Sequence, residues 1–171
     1  MPALSAPTAD PIVKALVIGD SGSGKTGALA SLVKSGYRVR ILDFDNKVQS
    51  GILPRVLARE CPDKISLVDF ETFRDKLKSS SVGPIFDGTP DAFTRALALL
   101  DKWPDGTSPR QWGDKVVLVL DSLTFCSDAA FNWAKAMSPT TKEPRQWFYT
   151  AQQVIENLLA MLTEKRFNTN V

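Results

Sequence analysis

Residues 19–26 have the sequence Gly-Asp-Ser-Gly-Ser-Gly-Lys-Thr, and this glycine-rich stretch lies between two segments of contrasting pattern. The preceding residues 12–18 (IVKALVI) form a short apolar run, which is typical of a buried strand. From Lys25 the apolar residues recur at helical spacing until Ser35-Gly36, a common kind of helix end. The stretch therefore predicts a tight loop that joins a strand to a helix.

The loop matches the spacing G-x-x-x-x-G-K-[S/T] at every fixed position. Glycines allow the backbone to turn tightly and to approach a phosphate, while backbone N–H groups and the helix N-terminus attract its oxygens. Lysine adds a positive charge for the β- and γ-phosphates, and threonine offers a hydroxyl to Mg²⁺. We therefore expect ATP and Mg²⁺ to be bound by the whole loop, namely Gly19, Asp20, Ser21, Gly22, Ser23, Gly24, Lys25 and Thr26.

Composition narrows the chemistry that this chain can perform. Its 171 residues are enough for one domain, predicted over 12–171 after a flexible leader at 1–11. The chain has no histidine, which excludes histidine-based catalytic triads and histidine-ligated zinc. Its two widely separated cysteines and the lack of a membrane-length apolar run favour a cytoplasmic protein without a membrane partner. The net charge of +2 neither requires nor excludes nucleic acid.

Strands and helices are predicted to alternate along the rest of the chain, which indicates an α/β fold with a parallel sheet. The segment 78–89 is predicted to be an exposed loop, and Thr89 to cap the helix that follows it. The apolar face of that helix is assigned to Phe93, Leu97 and Leu100. Predicted strands cover 38–44, 65–70 and 115–120. One further helix is predicted to follow Ser122, and another to span about 145–166.

Acidic residues end two of the predicted strands. Asp121 follows the most apolar strand, where a carboxylate could hold Mg²⁺ opposite Thr26; alternatively it caps the next helix. Asp43 and Asp45 follow the strand after the first helix, and alternation would point both toward the loop. A carboxylate there could activate a water molecule, with Asp45 favoured because it lies further out. The alternative is a simple turn through Asn46.

The order of the glycine-rich loop, Asp45 and Asp121-Ser122 resembles the RecA-like branch of P-loop ATPases. The stretch GDSGSGKTGALASLVKSGYRVRILDFDN is similar to phage-encoded ATP-binding proteins of the AAA/RecA type, some of which act in single-strand annealing or recombination. The resemblance implies a three-layer P-loop NTPase fold with a mostly parallel RecA-like sheet flanked by helices. It assigns the loop to Walker A, Asp121 to Walker B and Asp45 to activation of water, although the family's usual residue there is glutamate.

The resemblance also predicts a central strand between the P-loop strand and the Walker B strand. The sequence reaches only Asn168-Thr169-Asn170-Val171 where that strand should begin, so the final core strand is expected to be missing. The implied function is an ATPase of phage or prokaryotic DNA metabolism. It would work as a homo-oligomer, or with a phage partner, on single-stranded DNA, with an arginine such as Arg110 or Arg145 completing a neighbour's site.

Two other functions remain open at this point. One is an ATP-binding switch or scaffold that does not hydrolyse ATP efficiently, which the missing strand would favour. The other is a small-molecule kinase, for which residues 138–146 would have to supply a lid.

Overall fold

The computed structural model describes residues 12–20, 22–140 and 143–171. Its elements, in chain order, are α1 (Lys25–Lys34), β1 (Arg38–Asp43), α2 (Ile52–Glu60), β2 (Val68–Thr72), β3 (Leu77–Ser80), β4 (Gly83–Phe86), α3 (Ala92–Asp101), β5 (Gly113–Asp121), α4 (Leu123–Met137), α5 (Pro144–Thr163) and β6 (Thr169–Asn170). Short 3₁₀ helices cover Pro62–Leu67 and Pro109–Gln111.

Four parallel strands form the sheet in the order β2-β1-β5-β6. In the centre, β1 pairs with β5 from Arg38 opposite Val116 to Asp43 opposite Asp121. The carboxyl ends of these two strands therefore lie side by side, at the edge where ligands bind in open parallel sheets.

Helices cover both faces of this sheet. On one face Val39 and Ile41 of β1 pack against α1 and α2 through residues such as Val33 and Leu53. On the other face Leu42 and Leu118 pack against α3, α4 and α5. Because both faces are covered, β1 is buried at nearly every position rather than at alternate ones, as expected for a central parallel strand. The predicted α/β class is confirmed, and the arrangement is consistent with a Rossmann-like architecture.

Most predicted elements are present, but several are corrected. Within the predicted loop, β3 and β4 form an antiparallel hairpin, closed where Ser80 Oγ donates to the carbonyl of Gly83 at 2.6 Å. Gly83 adopts φ 116°, a left-handed value that glycine tolerates. The sequence pattern alone does not reveal this backbone conformation. Helix α3 begins after Asp91 rather than at a Thr89 cap, and Ala96 takes the core position predicted for Leu97.

The segment 12–18 differs most from its prediction. It forms no regular strand, and Leu16, Val17 and Ile18 expose 71%, 69% and 85% of their surface. Among the described residues its backbone bonds to the carboxyl end of the chain, where Ala15 N–H donates to the Val171 carbonyl at 2.8 Å and Val171 N–H donates to the Val13 carbonyl at 3.0 Å. These side chains are apolar, yet nothing among the described residues buries them.

A short strand lies at the place where the final core strand was expected to be missing. Thr169 and Asn170 form β6, which pairs with β5 on one side while Val171 bonds to the segment 12–18 on the other. Lys14 Nζ fixes this junction by donating to the carbonyls of Phe167 and Thr169 at 2.8 and 2.5 Å.

The predicted leader at 1–11 lies outside the described residues. Within the part of the chain that the structure describes, no helix combines the length and the apolar character required to traverse a bilayer.

Candidate functional site

Residues 19–24 of the loop lie immediately before α1, which begins at Lys25, so the helix N-terminus faces the loop. Gly22 and Gly24 adopt left-handed φ values of 79° and 88°, which strain any residue with a Cβ. At Gly19 a Cβ would approach the Ser23 hydroxyl to 2.8 Å, so the serine side chain would have to move to accommodate another residue there. Ser21, which the sequence assigns to the same loop, lies outside the described residues.

The ammonium group of Lys25 lies over this loop. Its Nζ donates to the carbonyls of Gly19 and Asp20 at 2.7 and 2.8 Å and contacts the Ser23 hydroxyl at 3.4 Å. The lysine is in an exposed environment, so these bonds compete with water and can be exchanged for a stronger anionic partner. Its charge is thereby held at the loop that is predicted to bind phosphate.

Thr26 and Asp121 meet directly. The Thr26 hydroxyl donates to the Asp121 carboxylate at 2.7 Å, which joins the first turn of α1 to the end of β5. The peptide bond that follows, between Asp121 and Ser122, is cis. Two oxygen donors predicted to serve Mg²⁺ are thus adjacent, and hydroxyl and carboxylate oxygens are the ligand type that this ion prefers.

No larger metal cluster is found. In the described ranges, no group of three or more Cys, Asp or Glu side chains is arranged to hold a metal ion. The Thr26 hydroxyl and the Asp121 carboxylate still fit Mg²⁺ as a pair, because this ion characteristically keeps several waters and takes one or two protein oxygens beside substrate phosphates.

The end of β1 wraps around the backbone of Asp121. The N–H groups of Phe44 and Asp45 both donate to the Asp121 carbonyl, at 2.6 and 3.2 Å. Asp45 is therefore beside Asp121 at the level of the main chain. Its carboxylate pairs with Lys47 Nζ at 3.0 Å, and Arg74 donates to its carbonyl at 3.0 Å.

Asp43 has a different role from the one that strand alternation predicts. Its side chain is buried, and its carboxylate accepts from the N–H groups of Lys47 and Val48 and from the Thr72 hydroxyl, each at 3.3 Å. The strand ends at Asp43 and the chain turns at Asn46, which has φ 57°, so the two acids do not point the same way. Asp43 organises the turn that carries Asp45.

Sequence reasoning did not single out Lys47 and Arg74, the two cations around Asp45. The only signal for Lys47 is its charge two positions from Asp45, and Arg74 is brought in by the end of β2, 29 positions away. Of the two arginines proposed to act on a neighbour, Arg110 lies before β5, at the opposite edge of the sheet, and contacts Met161 Sδ at 3.2 Å. Arg145 is 94% exposed in the first turn of α5.

Cys126, on α4 close to the end of β5, contributes no nucleophile to this site. Burial raises the pKa of its thiol to about 12, so the sulfur stays protonated at neutral pH.

In comparisons with protein-family models, with curated proteins and with solved structures, the chain has no match.

Proposed function

We propose that this chain is a Mg²⁺-dependent ATP-binding protein that hydrolyses ATP and serves DNA recombination or replication in a phage or prokaryotic cell. The observation that carries the proposal is the hydrogen bond of 2.7 Å between Thr26 and Asp121. It joins a glycine-rich loop at a helix N-terminus to an acid at the carboxyl end of the central strand. Fixed N–H donors, one lysine and two hard oxygen donors together form a site suited to a nucleoside triphosphate.

In this proposal the residues of the loop hold the phosphates. The backbone N–H groups before α1 and the Lys25 ammonium bind and orient the β- and γ-phosphates, with the lysine exchanging its carbonyl contacts for phosphate oxygens. Thr26 and Asp121 would hold Mg²⁺, which when bound supplies positive charge to the phosphoryl oxygens.

Asp45 is the candidate base. Its carboxylate would orient a water molecule and accept its proton as the water oxygen bonds to the γ-phosphorus and the bond to the ADP oxygen breaks, giving ADP and phosphate. For this to occur, the contact of 3.0 Å between Asp45 and Lys47 must be released or shared with the water.

That same contact favours a second candidate function, an ATP-binding switch or scaffold. A carboxylate oxygen that contacts the Lys47 ammonium at 3.0 Å is occupied and is not free to accept a hydrogen bond from an attacking water molecule. With Lys47 in place, ATP could be bound and released without efficient turnover. The proposed ATPase would be a homo-oligomer, since a neighbouring subunit would have to supply an arginine. Its proposed partner is single-stranded DNA.

The two functions are separated by measuring ATP affinity and ATP turnover in the same preparation. Isothermal titration with ATP and Mg²⁺ tests binding, and release of phosphate with and without single-stranded DNA tests hydrolysis. Binding with DNA-stimulated turnover supports the ATPase; binding with turnover no faster than that of Asp45→Asn supports the switch. Absence of ATP binding would overturn both.

A further inference from the structure

A cavity of about 250 Å³ lies between the β3–β4 hairpin and α4, and we call it the hairpin cleft. Leu77 and Phe86, which are paired directly across the hairpin, form one wall, and α4 forms the other. The space exists because the residues that meet it from α3 and α4 include two small ones, Ala92 and Ala129. The described residues of the glycine-rich loop do not line it, so it is distinct from the candidate nucleotide site.

Phenyl rings make up much of the hairpin cleft. Phe44 and Phe73 are buried at its base, with their ring centroids 5.2 Å apart. Phe86 on the hairpin and Phe125 on α4 keep 36% and 38% of their surface exposed. Aromatic groups stack in offset or edge-to-face arrangements, so rings on two walls of a narrow space favour a flat, unsaturated occupant.

The mouth of the hairpin cleft carries an arginine. Arg74 is exposed, and its guanidinium lies 5.9 Å from the centre of the Phe125 ring. The same guanidinium donates to the Asp45 carbonyl at 3.0 Å. An exposed guanidinium readily exchanges a neutral carbonyl for an anionic oxygen, because charge-assisted hydrogen bonds are stronger and often bidentate. A phosphate of the occupant would therefore be held at Arg74, beside the turn that carries Asp45.

The hairpin cleft also holds a carboxylate that is free to accept hydrogen bonds. Asp75 is already engaged, since its Oδ1 accepts from the N–H groups of Asp91 and Ala92 and its Oδ2 from Asn132 at 3.4 Å. Asp128, one turn before Asn132 on α4, is exposed and has no hydrogen bond or ion pair among the described residues. A carboxylate accepts hydrogen bonds from the exocyclic amino group of a base such as cytosine.

These three features together select the occupant. A purely apolar ligand would make no use of Arg74 or Asp128, and an organic cation would be repelled by the guanidinium that already lies over Phe125. A nucleotide combines a flat ring, amino donors and a phosphate. Pockets for drug-sized ligands begin at roughly 300 Å³, so this smaller cleft suits one base.

We propose that the hairpin cleft binds one base of single-stranded DNA between Phe86 and Phe125, with its amino group on Asp128 and an adjacent phosphate on Arg74. The last three of these residues are exposed, so the cleft opens to solvent and the strand can continue beyond it. Duplex DNA does not fit, because its bases are stacked and paired. The choice of a strand over a free nucleotide rests on the proposed function, whereas the cleft and its chemistry do not.

The test measures binding of two labelled single strands of equal length, one of deoxycytidine and one of deoxythymidine, to the full chain without ATP. Of the two bases cytosine alone has an exocyclic amino group, so fluorescence anisotropy should show it binding about fivefold more tightly. Asp128→Ala should make the two affinities equal. Asp87→Ala, which removes a carboxylate outside the cleft, should preserve their ratio. The ratio is the readout because loss of either negative charge strengthens binding to both strands.

Two matched pairs of variants locate the strand. Phe125→Leu should weaken binding of both oligomers by about fivefold or more, because stacking is lost, whereas Tyr149→Leu, an exposed aromatic residue on α5, should change neither. Arg74→Ala should reduce the steepness with which log affinity falls with log salt by about 0.7, the value for one phosphate contact on a single strand. Lys78→Ala removes a positive charge outside the cleft and should leave the slope unchanged.

Equal losses in Phe125→Leu and Tyr149→Leu, or equal affinities of the parent protein for the two oligomers, would overturn the proposal. So would deoxycytidine monophosphate binding as tightly as the oligomer, or an oligoarginine peptide binding through Phe125 where neither oligomer binds. Phe86→Leu repeats the stacking test on the other wall if Phe125→Leu fails to fold. ATP affinity is measured separately: a protein that binds ATP but neither oligomer would refute this inference and leave the proposed nucleotide site standing.

Discussion

The hydroxyl of Thr26 and the carboxylate of Asp121 are separated by 95 positions in the chain and by 2.7 Å in the folded protein. The contact joins the start of α1 to the end of β5 and so fixes the glycine-rich loop against the sheet. Both groups are partly buried, which makes the bond less accessible to competing water than a surface contact. This pair is the structural centre of the candidate site.

Replacing Thr26 should therefore weaken the binding of Mg²⁺ while the protein still folds. We expect Thr26→Ala to weaken Mg²⁺-dependent ATP affinity by about tenfold, equivalent to ~1.4 kcal/mol, because one oxygen donor is lost. Thr26→Ser keeps the hydroxyl and should retain most of the affinity. Titration calorimetry with and without Mg²⁺ measures the effect. Equal affinities for the Ala and Ser variants would contradict the role given to the hydroxyl.

Lys25 can be tested against another lysine of the same helix. A hydrogen bond to a charged group contributes ~1.5–3 kcal/mol, so Lys25→Ala is expected to lower ATP affinity by about 10- to 100-fold. Lys34, near the end of α1, pairs only loosely with Glu60 at 3.9 Å, and Lys34→Ala should bind ATP normally. Circular dichroism of both variants checks that the fold is intact. Normal ATP affinity in Lys25→Ala would refute the assignment of the loop.

Replacing Asp45 and replacing Lys47 should have different effects on the rate of ATP hydrolysis. If Asp45 is the base, Asp45→Asn should slow ATP hydrolysis by about 10²-fold or more while ATP affinity changes little. Lys47→Ala removes the ammonium group that contacts this carboxylate at 3.0 Å, which leaves the carboxylate free for water, and should maintain or increase the rate. Single-turnover phosphate release distinguishes the variants. An unchanged rate in Asp45→Asn would eliminate its proposed role in catalysis.

Asp105 is expected to make stability depend on acidity. Hydrogen bonds from the Thr107 hydroxyl and N–H, with a further contribution from Arg40, lower the pKa of this carboxyl from 3.8 to about 2. Because the folded state binds its proton less readily than the unfolded state, the stabilisation is complete above about pH 4 and disappears as the pH falls toward 2. Asp105→Asn should therefore be less stable than the parent at pH 5, and the difference should shrink at pH 2. Urea unfolding across this range measures it, and a difference independent of pH would contradict the assignment.

Asp75 caps a helix to which it does not belong. Its carboxylate accepts from the N–H groups of Asp91 and Ala92, at 2.9 Å each, at the start of α3. Asp75→Ala should lower the free energy of unfolding by about 1 kcal/mol, as losses of helix caps do. Asp87→Ala, which removes an exposed ion pair with Lys78, should cost less than about 0.5 kcal/mol. Equal losses in chemical denaturation would show that the cap is not stabilising.

Short apolar runs that alternate with segments of helical apolar spacing were sufficient to predict the α/β class, helix α1 and the central strands β1 and β5. These elements depend on local periodicity, which a sequence displays directly. The hairpin of β3 and β4 escaped prediction because its serines, Gly83 and Pro84 are typical of a loop, and its closure depends on the backbone conformation of Gly83. The start of α3 was misplaced because its cap, Asp75, comes from a distant part of the chain.

By itself, the sequence determined which side chains are available at the candidate site: the glycines and lysine of residues 19–26, Thr26, and acids at two strand ends. Only the tertiary structure decided how they are used. It placed Asp121 against Thr26, bonded the Asp43 carboxylate to the turn that follows β1 and paired Asp45 with Lys47. It also left Leu16, Val17 and Ile18 exposed in a segment that was predicted to be a buried strand. The reason is physical: periodicity records which residues can be buried, whereas hydrogen-bond partners and strand neighbours depend on contacts between distant parts of the chain.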